Sequence, residues 1–351
     1  MKAIADSRAF WGWMAVAGLV LPFVLASVPA GAQEDSMTTR AHRTDWMAEG
    51  SFGLMVHYLV SPPGESHAER APALNGIVNG FDVDGFVEQL ASTGADWLIF
   101  TLGQNTGYYN SPNKWLDARL PGHTPDRDLV LEIAVRLHAL GKRFIAYLPA
   151  ETAAQRQAIH EVFAWNPRDQ HEFQRRYREF LRAYSLKFGR LCDGWWFDGC
   201  YEWDVFHNSL YEWPEWIAAA KAGNPDALVA FNDGSFCINK VKPVTPLEDY
   251  HAGEVHLLVG GKIQLGHDAN SPLYLPDARF IDGVQWHALV PVDSTFEGGE
   301  PHHYADEELL GFLKACKSVG GAVTLNLPVS MGGVIPEESV EQMRRLGQAL
   351  Q

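Results

Sequence analysis

Along most of its length the chain alternates between two patterns. A short run of consecutive apolar residues is followed by a longer stretch in which apolar positions recur every three or four residues. FGLMVHYLV (52–60), DWLIFTLG (96–103), KRFIAYLPA (142–150), GWWFDG (194–199), ALVAFND (227–233), GVQWHALVPV (283–292) and AVTLNLPVS (322–330) are the short runs and predict strands, and EDYHAGEVHLL (248–258) predicts a short strand with a loop. Helical spacing predicts helices over 82–94, 129–141, 171–189, 210–223, 305–320 and 338–350. Local punctuation agrees: Asp82 sits at an N-cap position, Gly94 and Gly141 close helices, and Pro214 falls near a helix start, where its missing N–H costs little.

The predicted strands are apolar throughout instead of alternating. Such strands are covered on both faces, which calls for a parallel sheet with helices outside it. Seven or eight β/α units then predict an α/β protein whose single domain, residues 45–351, is a (β/α)8 TIM-like barrel. A doubly wound open sheet is the competing arrangement. No GxGxxG or GxxxxGK[ST] turn follows a strand, so no nucleotide site supports it.

Composition and the N-terminus narrow the function. The net charge of −15 and the absence of a Lys/Arg-rich run argue against a nucleic-acid partner. The 12 Trp residues suit sugar faces, although a Trp-rich core needs them too. Lys2 and Arg8 precede the uncharged apolar run 9–28, and Ala30 and Ala32 follow it. This predicts a signal peptide, 1–32, cleaved after Ala32, then a flexible segment, 33–44. Pro22 interrupts the apolar run and argues against a retained anchor. The expectation is an exported protein, periplasmic or secreted, without stable membrane association once cleaved. Export permits disulfides among Cys192, Cys200, Cys237 and Cys316. Their spacing shows no CxxC pair, so the reading favours free thiols, with Cys192–Cys200 as the pair able to bridge.

In a barrel the C-terminal strand ends face the active site. Polar residues fall at several predicted ends: His57, Gln104, Asn105, Glu151, Asp198, Asn232, Asp233, His287 and Asn326. Any one of them could be a strand cap. Together they predict a rim site.

At these residues the chain resembles the α-L-fucosidases of glycoside hydrolase family 29, over about residues 45–350. WMAEGSFGLMVHYL (46–59) is similar to that family's opening segment, with His57 on its sugar-binding histidine. The segment 80–117 is similar to its second β/α unit. GWWFDG is similar to its LWFDG, whose Asp is the nucleophile, which implies that role for Asp198. FND…EDYHAGE (231–254) is similar to the segment carrying its acid/base, which implies Glu254, and 320–350 is similar to its last strand and helix. Three departures stand out. The family's His-His pair after the second strand reads Gln104-Asn105, its late Trp-Glu reads Trp286-His287, and the Arg of its NDR reads Gly234. The resemblance ends with the last helix, so a counterpart of the family's C-terminal β-sandwich is not expected.

The implied activity is exo-glycosidic hydrolysis of a glycan by two carboxyl groups, one ionised to attack and one protonated to release the leaving group. Tyr108, Trp196, Trp286, Asn232, Asn326, His57, Gln104, Asn105 and His287 are the candidate substrate contacts. Glu248, Asp249, Glu202 and Asp204 rival Glu254 as the acid. No cofactor is implied. Three alternatives remain. A different sugar, such as a sialic acid, would need a cation, for which Arg70, Arg119 and Arg127 are candidates. Asp249, His251, Glu254, His256 and His302-His303 could hold a metal, although their spacing matches no specific signature. The chain could also bind sugar without catalysis.

Overall fold

A computed structural model of the chain describes residues 42–200, 211–234, 242–296 and 298–351. The predicted signal segment, residues 33–41, Glu202, Asp204 and Cys237 lie outside the described residues. Helix α1 spans 42–49, so residues 42–44 belong to a helix and not to a flexible lead. Then follow β1 (Gly53–Val56), α2 (His67–Asn79), α3 (Val83–Ser92), β2 (Trp97–Thr101), α4 (Lys114–Asp117), α5 (Leu129–Ala139) and β3 (Arg143–Pro149). Helices α6 (Gln157–Phe163) and α7 (His171–Phe188) lead to β4 (Gly194–Asp198), and α8 (Trp213–Ala220) leads to β5 (Leu228–Phe231). Short strands β6 (Leu258–Val259), β7 (Lys262–Gln264), β8 (Leu273–Tyr274), β9 (Phe280–Ile281) and β10 (Val284–Gln285) form two antiparallel excursions. The chain ends with β11 (His287–Pro291), α9 (Asp306–Ser318), β12 (Ala322–Leu327) and α10 (Glu337–Leu350).

Seven strands form one parallel sheet in the order β11-β12-β1-β2-β3-β4-β5. The sheet curls, and segment 249–255 runs irregularly between its two edges. Asp249 donates its N–H to Val229 O at 2.8 Å on β5, and Val255 donates to Leu289 O at 3.0 Å on β11. This is an α/β fold with a curled parallel sheet, consistent with a TIM-like barrel.

The curl explains the continuous apolar strands. Successive side chains point to opposite faces of a strand, and here one face looks into the curl and the other under the helices. Met55, Ile99, Tyr147, Trp196, Ala230 and Leu289 cluster inside. Leu54, Leu98, Phe144, Phe197, Val229 and Val290 pack outward against the helical layer. Helix α7 contributes Phe173, Tyr177, Phe180, Leu181, Tyr184 and Phe188, spaced as one helical stripe, to that outer layer. The interior is tight: a Cβ on Gly53 would lie 1.9 Å from Trp97 Nε1, so only glycine lets β1 pass that indole.

Several elements differ from the sequence expectation. The first strand ends at Val56, not residue 60. Helix α2 was not anticipated, because Pro72 and Gly76 interrupt its apolar spacing. The run GVQWHALVPV is broken after Gln285: β10 pairs with β9, Trp286 donates its N–H to Arg279 O at 2.8 Å, and β11 begins at His287. His287 therefore opens a strand instead of ending one. Cys192, Cys200 and Cys316 are free and buried. Cys192 and Cys200 flank β4 on either end, and that five-residue strand alone spans roughly 13 Å, beyond disulfide reach.

Candidate active site

Alternation along the strands decides which polar residues meet. Counting two residues on from inward-facing Met55, Trp196, Ala230 and Ala252 reaches His57, Asp198, Asn232 and Glu254. His57, Asp198 and Asn232 stand at or just beyond a strand's C-terminal end, Glu254 stands in the irregular segment, and the four converge at the mouth of the curl. A cavity of about 490 Å³ opens there, lined by His57, Gln104, Asn105, Asp198, Glu254, Ser294, Thr295, Phe296 and Asn326 among others.

Asp198 is buried at the end of β4 and is held by neutral donors. Tyr147 Oη–H donates to its Oδ2 at 2.5 Å and Gln104 Nε2 to the same oxygen at 3.1 Å. Asn232 Nδ2 donates to Asp198 Oδ1 at 2.8 Å, and the same nitrogen donates to Glu254 Oε2. One amide therefore joins the two carboxylates. Gln104 is itself fixed by Gln155, whose Nε2 donates to the Gln104 carbonyl at 3.0 Å. Trp196 stacks on Tyr147 with ring centroids 5.2 Å apart and donates Nε1–H to Ala252 O, which makes it the floor under Asp198 and not an open sugar platform.

His57 stands opposite, with Tyr147 and Phe296 meeting it edge to face. Its Nδ1 lies 2.8 Å from Asn326 Oδ1. Asn326 Nδ2 donates to Ser294 Oγ at 2.9 Å while the Ser294 hydroxyl donates to Asn326 O, so the amide orientation is fixed and His57 Nδ1 carries the proton. Burial lowers the His57 pKa, against smaller upward pulls from Asn326 and the Asp198 charge. The ring is neutral at pH 7, with Nε2 as an acceptor.

Other expected residues go elsewhere. His287 is fully buried beneath the site: Nδ1 donates to His251 O at 2.9 Å, and Nε2 accepts from Thr324 Oγ1, which in turn accepts from Trp97 Nε1. Burial pushes its pKa down to about 4. Trp286 packs in the outer core, the face opposite the cavity, because it precedes the strand by one residue. Tyr108 stacks on His123 at 4.7 Å, beyond the cavity wall. Glu248 accepts N–H bonds from Phe231 and Val244 and does not line the cavity; burial raises its pKa well above the carboxylate range. Asp249 is tied to Arg43 and Lys221, each at 2.6 Å, which removes it from both the acid and the metal readings. Among the described residues no group of three candidate metal ligands stands together. Arg127 pairs with Glu132, Arg119 lies over the Trp115 ring, and among the described residues no Arg or Lys lines the cavity to supply the cation a sialic acid needs.

Sequence reading missed Tyr147, Ser294 and Phe296. Tyr147 was findable, since it lies at the inward parity two residues before the end of β3. Ser294 and Phe296 follow β11 in VDSTF, where no periodicity marks a turn toward the site.

Two facing carboxylates at the mouth of a curled parallel sheet are the arrangement of a glycoside hydrolase. The chain belongs to the alpha-L-fucosidase family, a family of such hydrolases: the family's sequence model matches residues 23–351. No curated protein sequence matches it. Among solved structures, alpha-L-fucosidase isoenzyme 1 from Paenibacillus thiaminolyticus is 19% identical with a TM-score of 0.61, over 89% of this chain and 76% of that one. The Thermotoga maritima alpha-fucosidase is 17% identical with a TM-score of 0.55, over 87% and 73%. The endo-fucoidan hydrolase MfFcnA9 from glycoside hydrolase family 107 is 18% identical with a TM-score of 0.64, over 89% of this chain and 64% of that one. For its relative MfFcnA4 the share of that chain is 54%, so this chain spans between half and two thirds of these hydrolases.

Proposed function

We propose that the protein is an exo-acting hydrolase of terminal α-L-fucosides that works with retention, with Asp198 as nucleophile and Glu254 as acid/base. The observation that carries this reading is the Asn232 amide nitrogen, which donates to both carboxylates. Oxygens sharing one donor are separated by at most about two hydrogen-bond lengths, roughly 5–6 Å. That matches the ~5–5.5 Å of double displacement and falls short of the ~6.5–9.5 Å of inversion. An Asp198 oxygen attacks the anomeric carbon, the glycosidic C–O bond breaks, and Glu254 gives its proton to the departing oxygen. Glu254 then takes a proton from water, whose oxygen attacks the anomeric carbon and frees Asp198. His57 Nε2 accepts a hydrogen bond from a sugar hydroxyl. In this reading segment 249–255 is the eighth stave of the barrel, and its irregularity brings Glu254 over the mouth. The apolar run 9–28 makes export part of the proposal, checked by N-terminal sequencing of the mature protein.

The test is hydrolysis of an aryl α-L-fucoside by wild type and by Asp198→Asn, with the anomer first released read by NMR. Turnover giving the α-anomer, lost in the variant, supports the reading. Release of the β-anomer sinks the retaining mechanism, and binding without turnover sinks catalysis. One observation favours a second reading, a different neutral sugar: the Gln104 amide is turned onto Asp198 instead of being left for a sugar hydroxyl. A panel of other aryl glycosides separates the two.

A further inference from the structure

On helix α2 and on the loops that follow β2 and β3 lies a cluster of basic and aromatic side chains whose arginines make no ion pair among the described residues. Arg156 directly follows Gln155, the residue that holds Gln104. Its guanidinium lies 5.9 Å from the Tyr108 ring centroid, Tyr108 stacks on His123, and His123 stacks on His67 at 5.9 Å. Arg70, one turn along α2 from His67, completes the group. Arg70 Nε is shielded from water and makes no hydrogen bond. Most other arginines described here are engaged, Arg43, Arg127, Arg143, Arg175, Arg178 and Arg345 all in ion pairs. Arg70 and Arg156 have no ion pair among the described residues. A protein of net charge −15 thus keeps two guanidinium groups without an ion pair around this aromatic stack, Arg156 over Tyr108 and Arg70 one turn from His67. Their field is felt locally: besides burial, which lowers it most, the pKa of His123 is lowered by His67, Arg156 and Arg70 together.

We propose that Arg70 and Arg156, flanking the Tyr108–His123–His67 stack, form a subsite for an anionic substituent, a sulfate ester or a carboxylate, on a glycan unit next to the sugar in the cavity. The inference rests on the proposed glycosidase reading and adds to it the substrate class, an anionic oligosaccharide with an uncharged terminal unit. The geometry divides the labour. The cavity has no described cation and takes the neutral sugar, while the arginines lie one loop away, past Gln104 and Gln155. Guanidinium forks suit both sulfate and carboxylate oxygens.

The test uses the full mature protein carrying Asp198→Asn, so that ligands are not consumed. Binding of a sulfated fucose oligosaccharide, its desulfated form and a uronate-bearing oligosaccharide is measured by calorimetry at low and at physiological salt. The sulfated or uronate ligand is expected to bind more tightly than the desulfated one, and the one preferred names the anion. Arg156→Gln, at an exposed position, is expected to cost about tenfold in that affinity, as is Arg70→Gln, with the neutral ligand unaffected. The same substitutions in the otherwise wild-type chain leave aryl α-L-fucoside turnover unchanged, which separates this subsite from the catalytic reading. Equal affinity for charged and neutral ligands overturns the proposal. So does undiminished binding of the charged ligand by the correctly folded Arg156→Gln protein.

Discussion

Gly199, directly after Asp198, offers the sharpest test of how the strand end holds that carboxylate. Its φ is +76°, in the left-handed region, where an L side chain costs roughly 1–2 kcal/mol. A Cβ there would also lie 2.4 Å from Glu151 Cγ. Glu151 cannot step aside freely, since it is buried and its carboxylate accepts the Ala153 N–H. Relieving that overlap adds about 1–3 kcal/mol, so Gly199→Ala should destabilise the fold by roughly 2–5 kcal/mol. Gly141 supplies the control. Its φ is +71°, yet a Cβ there meets nothing within 4 Å, so Gly141→Ala carries the backbone term alone. Urea unfolding should therefore rank Gly199→Ala below Gly141→Ala by more than 1 kcal/mol. The two substitutions also divide in activity. Displacement of Asp198 by a few tenths of an ångström should lower kcat/KM about tenfold or more in Gly199→Ala, while Gly141→Ala, remote from the cavity, should keep wild-type rates. Equal stability of the two variants, or an unchanged kcat/KM in Gly199→Ala, would refute the claim that Glu151 and the glycine together fix Asp198.

Asp198→Asn keeps the shape of the side chain but removes the attacking charge, and should lower kcat by at least about a thousandfold with little change in Tm; a smaller loss on a purified sample means the nucleophile is elsewhere. Acid should destabilise the protein through its buried histidines. His287 and His57 are held neutral by burial, so the folded state takes up fewer protons than the unfolded one below pH ~6.5, and their favourable share, complete above that pH, is lost as pH falls toward the folded value, about 4 for His287. For His287 this amounts to roughly 3 kcal/mol by pH 4; Tm measured from pH 7.5 to 4.5 should fall, and less steeply in His287→Gln, whereas parallel curves would show that His287 does not titrate. Because Cys192, Cys200 and Cys316 are unpaired, reductant should leave Tm unchanged, and a drop would reveal a bridge.

The sheet was legible because a parallel strand must be apolar on both faces, and that requirement writes itself into consecutive residues such as WLIFT and GWWF. Helix α2 was not, since Pro72 and Gly76 break a spacing that tertiary packing supplies through Leu74 and Val78. The same contrast holds at the site. Asp198 and Asn232 could be found from strand ends, while Glu254, in a segment with no regular strand, was reached only through the family resemblance. Trp286 and His287 were misplaced because one residue separates the break at Trp286 from the start of β11, and a shift of one residue exchanges the inside of a sheet for its outside. Cations bearing on Asp249 come from Arg43 and Lys221, 206 and 28 residues away in sequence, and no local pattern announces them.

The Tyr147 hydroxyl and the Gln104 and Asn232 carboxamides that donate to Asp198 are neutral. None of the three changes charge between about pH 5 and 9. The hydrogen bonds that orient Asp198 are therefore constant across that range, and the neutral, buried His57 is constant over its upper part. Positive charge stands outside the cavity instead, at Arg70 and Arg156, where water and salt screen it. A site built this way should bind a neutral terminal sugar with little dependence on ionic strength. Dependence on salt should appear only when the ligand is long enough to reach the arginines.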